Sequence, residues 1–174
     1  MLQFLFNFVR EKTVTRKMEI NGKDHQKIQN FEDLDLSIQE LIESAVQARK
    51  LAYCPYSNFA VGAALRTTSG EIIKGCNVEN GAHTPSICAE RTAIVKAVSE
   101  GHTNFEAIAV VAFQEDQFTS PCGVCRQVIS EFASKDIKVY ISKPVPVRIL
   151  CTSLYELLPY RFDSSRLKQD SRRL

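Results

Sequence analysis

Apolar residues recur at helical spacing through Ile38, Leu41, Ile42, Ala45, Val46, Ala48, Leu51 and Ala52, which predicts an amphipathic helix. Ser37 followed by Glu40 has the capping-box pattern for its start, and Cys54-Pro55 marks its end. Phe59, Val61, Ala63 and Leu65 then alternate as a strand does, Ser69-Gly70 supplies a turn, and residues 71–78 return as the second strand of a hairpin. A loop over 80–86 leads to a helix over 88–99, with Ala89, Ala93, Ile94, Ala97 and Val98 on one face and Gly101 placed to stop it. Residues 105–113 form a nearly continuous apolar run suited to a buried strand. A polar loop to Pro121 precedes a further helix from about 122 to 133. Residues 138–142 and 147–152 read as short strands, and 154–158 as a last helical turn. The order α-β-β-α-β-α-β-β-α predicts an α/β fold: a single-domain, three-layer α-β-α sandwich built on a mixed β-sheet.

The ends of the chain lack this order. Residues 1–33 show no sustained periodicity and read as a flexible N-terminal extension, with a turn at Asn21-Gly22. The folded domain is expected over 34–163, followed by a flexible basic tail at 164–174. A chain of 174 residues, 44% hydrophobic and 24% charged, can bury one sizeable core. No apolar run approaches the roughly 20 residues of a membrane helix, so no membrane partner is expected. The net charge of +2 sits in the two ends, because residues 34–163 carry 12 basic and 14 acidic side chains. A slightly acidic domain is a poor match for a polynucleotide, so no nucleic-acid partner is expected either. The opening MLQFLFNFV is broken by Gln3 and Asn7 and has neither a basic lead nor a small-residue cleavage site. A cytoplasmic location is the expectation. Arg10, Lys12, Arg16 and Lys17 keep a mitochondrial presequence as a minor alternative.

Six cysteines allow three disulfides in a secreted protein, but in a reducing compartment metal binding is the leading explanation. Two segments carry the case: Cys88-Ala89-Glu90-Arg91 and Pro121-Cys122-Gly123-Val124-Cys125. Each opens a predicted helix after a strand and loop. Unpaired N–H groups and the positive end of the helix dipole stabilise thiolates there. Two such starts at neighbouring strand ends would gather Cys88, Cys122 and Cys125 around one Zn²⁺, leaving its fourth position open, as catalytic sites do. A structural alternative recruits Cys76 as a fourth ligand. Glu90, two residues past the first ligand, reads either as dipole compensation or as the acid–base group beside a metal-activated water. Three thiolates on Zn²⁺ leave a net −1. Arg91, on the same helix face as Cys88, is placed to offset it. Arg126 is a second candidate, or a surface residue.

These segments, with Cys54-Pro55-Tyr56-Ser57-x-Phe59 and Gly75-Cys76-Asn77-Val78-Glu79-Asn80, resemble the small homotetrameric cytidine deaminases from about Cys54 to Phe162. The resemblance implies a cytidine-deaminase-like fold and zinc-dependent hydrolytic deamination of cytidine and 2′-deoxycytidine. It implies one Zn²⁺ per subunit on Cys88, Cys122 and Cys125, with Glu90 catalytic and Arg91 supporting. It places Asn77 and Glu79 on the ribose hydroxyls, Phe59 against the pyrimidine, and the backbone at Ala89 and Ser120 on the base edge. It also implies a homotetramer with composite active sites, to which Phe162 and Tyr56 contribute across subunit boundaries. His83 stands where many members carry a Tyr. Three alternatives remain at this level: a polynucleotide cytosine deaminase, a non-catalytic zinc module, and deamination of a modified nucleoside.

Overall fold

The computed structural model describes residues 27–163. The tail at 164–174 and most of the N-terminal extension lie outside the described residues. The elements run β1 (Ile28–Asn30), a 3-10 turn (Phe31–Asp33), α1 (Leu36–Arg49), β2 (Val61–Thr67), β3 (Ile72–Cys76) and α2 (Ala89–Ser99). They continue with β4 (Phe105–Ala112), α3 (Gly123–Glu131), β5 (Lys138–Ser142), β6 (Arg148–Ser153) and α4 (Leu154–Leu157). The strands form one sheet in the order β1-β6-β5-β4-β2-β3. Only β4 and β5 pair in parallel, so the sheet is mixed as expected.

Period-two alternation along the central strands divides the core into two layers. Ala63, Leu65, Ile108, Val110, Val139 and Ile141 face α2, α3 and α4. Ala64, Ala109, Val111 and Ile149 face α1, which contributes Leu41, Ile42 and Ala45. That is the three-layer sandwich the element order predicts.

Two glycines set how closely the helices approach. A Cβ on Gly62 would stand 2.1 Å from the Ala45 carbonyl oxygen on α1. One on Gly75 would stand 2.4 Å from the Ala93 nitrogen and 2.6 Å from the Ala89 carbonyl oxygen on α2. Both distances are too short for any side chain, so the absent Cβ lets each helix backbone rest on the sheet. Gly75 therefore fixes the depth of the first turns of α2, where Cys88 and Glu90 begin the site.

Two local expectations are corrected. The capping box at Ser37 and Glu40 does not form: α1 begins after Asp35, with no side-chain cap. With Asp35 as N-cap, Ser37 falls inside the helix and not at its start, while Arg66 of β2 donates to the Ser37 main-chain carbonyl and pairs with Glu40 at 3.7 Å. The last part of the presumed extension is also structured. Ile28, Gln29 and Asn30 pair antiparallel with Leu150, Ile149 and Arg148, because the edge of β6 offers free backbone groups that β1 satisfies.

Candidate metal centre

Cys88 and Cys122 are the N-cap residues of α2 and α3, both with extended backbone (φ −74° and −67°). Neither N-cap side chain bonds its helix start, so the first N–H groups of both helices are left without a side-chain cap. One turn into α3, Cys125 is fully buried. The three sulfurs lie within 4.8 Å of one another. Tetrahedral zinc with Zn–S bonds of about 2.3 Å sets its ligands roughly 3.8 Å apart, so the set fits that ion. All six cysteines are free thiols. Cys76 lies outside the cluster and directs its thiol 3.4 Å to the Leu51 carbonyl, which removes it as a fourth ligand.

The electrostatics favour one anionic sulfur already. A hydrogen bond from Cys125, followed by one from Arg91, holds the Cys88 thiol down at about 5. Cys125 moves the opposite way, because its proton is held by Cys88 and its surroundings are dry. Arg91 Nη2 lies 3.6 Å from Cys88 Sγ and also donates to the Ser86 carbonyl at 3.2 Å. The second candidate cation is corrected: the three guanidinium nitrogens of Arg126 donate to oxygens of the chain leading into α3 and of α4, not to the sulfurs.

Glu90 is only 4% exposed and sits in the first turn of α2 beside these thiols. Burial pushes its carboxyl above the ordinary range, and the Cys88 thiolate adds to the effect. A buried carboxyl with a raised proton affinity is suited to taking and returning a proton.

The expected ribose pair is held in position from the opposite wall. Asn77 accepts from the Val61 amide at 2.8 Å and donates to the Phe59 carbonyl at 2.9 Å, so it clips the start of β2. Only its second amide hydrogen and remaining lone pair are left for a ligand. Glu79 accepts from the Tyr56 and Ser57 amides at 3.0 and 3.2 Å and from the Ser57 hydroxyl, which together hold its carboxyl below the usual range. Ser57, inside the Cys54–Phe59 segment, bears no local sequence signal of this contact, because Glu79 lies 22 residues further along the chain. Phe59 is half-buried just ahead of β2, and Ala89, the first residue of α2, is buried. Tyr56 and Phe162 are 55% and 63% exposed. The Tyr56 ring meets His83 edge-on at 6.2 Å, and the Phe162 carbonyl accepts from Gln127.

Comparison with known proteins places this geometry. Residues 36–141 match the family model described as the cytidine and deoxycytidylate deaminase zinc-binding region. A cytidine deaminase of Sporosarcina psychrophila is 46% identical over 132 residues, 76% of this chain and 96% of that protein. One from Halalkalibacterium halodurans is 48% identical over 124 residues, 71% of this chain and 92% of its own length. The crystal structure of a cytidine deaminase from Burkholderia pseudomallei superposes with a TM-score of 0.66 at 44% identity, covering 71% of this chain and 97% of that one.

Proposed function

The chain belongs to the zinc-binding cytidine and deoxycytidylate deaminase family, and on that premise we propose that it hydrolyses cytidine and 2′-deoxycytidine to uridine and 2′-deoxyuridine with release of ammonia. The observation that carries this reading is the buried Glu90 carboxyl beside three clustered thiols, two of them at helix starts.

Cys88, Cys122 and Cys125 would hold one Zn²⁺ per subunit, which would serve as a Lewis acid that acidifies water. The Glu90 carboxylate relays the attacking water's two protons in turn, one to ring N3 of the base and one to the leaving amino nitrogen, so that uridine and ammonia account for every atom of cytidine and one water. Arg91 keeps the Cys88 sulfur anionic. Glu79 and the free amide hydrogen of Asn77 bind the ribose hydroxyls, Phe59 packs against the pyrimidine, and the Ala89 backbone reads the base edge. The exposed Tyr56 and Phe162 complete sites in neighbouring subunits of a homotetramer. Both side chains are exposed, which leaves them available to a neighbouring subunit. The catalytic unit is residues 34–163, with β1 added at its edge. No helix among the described residues is long and apolar enough to cross a membrane. Six free thiols support a cytoplasmic location.

Metal content and a cytidine-to-uridine assay on wild type and Glu90→Gln test the reading. The variant should fold and load zinc while turnover falls at least ~100-fold. Near wild-type turnover would overturn it.

A further inference from the structure

We infer that Arg126 is a positioning residue for the metal ligand Cys122 and that it ties this ligand to the C-terminal segment bearing Phe162. The inference rests on the reading of Cys122 as a zinc ligand. Arg126 lies one turn into α3, its amide donating to the Cys122 carbonyl at 3.0 Å. A cation in a first helical turn is opposed by the helix dipole, so its placement there calls for compensating contacts.

Each guanidinium nitrogen makes one. Nε donates to the Pro121 carbonyl at 2.7 Å, Nη2 to the Ser120 hydroxyl at 2.9 Å, and Nη1 to the Leu157 carbonyl at 2.8 Å. Ser120 and Pro121 are the two residues that deliver Cys122. Cys122 is the exposed member of the thiol cluster, and its side chain makes no cap bond with α3. Its sulfur is therefore placed largely by the backbone ahead of it, and Arg126 holds that backbone from behind. The third bond satisfies the carbonyl that ends α4, which the short helix leaves without a partner of its own. Gln127, the next residue, donates to the Phe162 carbonyl at 3.1 Å. Two consecutive residues after Cys125 thus join the metal loop to the segment running from Leu157 to Phe162. Only a planar fork with divergent donors can span Pro121, Ser120 and Leu157 together; a lysine ammonium is a single point on a flexible stem.

The test uses the zinc-loaded full-length protein, with wild type, Arg126→Lys, Ser120→Ala and Gln127→Ala. Zinc release to a chromophoric chelator and steady-state KM and kcat are read at a temperature where each variant is folded. Arg126→Lys should release zinc at least ~10-fold faster and raise KM, because both ties are lost. Ser120→Ala should speed release by a smaller factor, and Gln127→Ala should raise KM with release unchanged. A purely structural Arg126 would lower Tm and leave zinc release at the wild-type rate. That result in Arg126→Lys overturns the inference. Should Arg126→Lys not fold, wild-type release in Ser120→Ala overturns it instead. A wild type that takes up no zinc would overturn the zinc reading itself, a distinguishable failure.

Discussion

Arg91 places a guanidinium nitrogen 3.6 Å from the sulfur of Cys88, three residues back at the start of the same helix. The contact favours the thiolate, and Cys88 is held at about 5 by the Cys125 hydrogen bond together with this one. Removing Arg91 raises the proton affinity of Cys88, so protons compete with zinc at a higher pH. Arg91→Gln should therefore lose half its zinc at a pH above that of wild type, and bind zinc roughly 10-fold or more weakly at neutral pH. Metal retention measured across a pH series checks both. Superimposed curves would remove Arg91 from the site.

Ser57 and Glu79 yield a prediction about substrate affinity. The Ser57 hydroxyl is the largest cause of the lowered Glu79 carboxyl, followed by the two loop amides. A depressed carboxyl stays ionised to a lower pH, and its contribution is lost only as pH falls through the folded-state value. Ser57→Ala lifts that value towards the ordinary range. KM for cytidine should then begin to rise at a higher pH in Ser57→Ala than in wild type. Glu79→Gln should raise KM across the range with a smaller effect on kcat. Identical KM profiles in all three proteins would separate Glu79 from the ribose.

Gly75 is the packing prediction. Its missing Cβ would overlap the α2 backbone at Ala89 and Ala93, and neither atom can rotate away. Gly75→Ala should cost about 1–3 kcal/mol or more, a fall in Tm of several degrees by thermal unfolding, and weaken zinc binding by lifting α2. At Gly123 a Cβ meets nothing within 4 Å, so Gly123→Ala should leave Tm within about 2 °C of wild type.

Lys27 and Glu156 pair at 2.8 Å, but with side chains 35% and 46% exposed the pair is well solvated. Lys27→Ala should change stability by less than ~1 kcal/mol in denaturant unfolding and leave turnover unaltered. A larger loss would mean that β1 depends on this side chain beyond its backbone pairing with β6.

Helix starts at Cys88 and Cys122, the hairpin turn at Gly70, and the buried strand at 105–112 were legible in the chain. Each follows from interactions among near neighbours: apolar periodicity, an N-terminal dipole, a backbone that needs positive φ. The residues of the metal cluster were legible for the same reason, since two helix starts carry them. What depended on distant groups was hidden. Ser37 and Glu40 fit the local rule for a capping box, yet the helix begins after Asp35 and leaves Ser37 inside it, where Arg66 of the distant β2 meets the Ser37 carbonyl and Glu40. Ile28–Asn30 carried no strand pattern and became a strand because β6 had an open edge. Arg126 read as a spare cation near thiolates; only the arrival of α4 gave it the Leu157 carbonyl and a different role. The chain by itself determined which side chains could do the chemistry and where helices and strands begin. The tertiary structure decided which oxygen each long side chain meets, because those partners are far apart in sequence and are brought together only by packing.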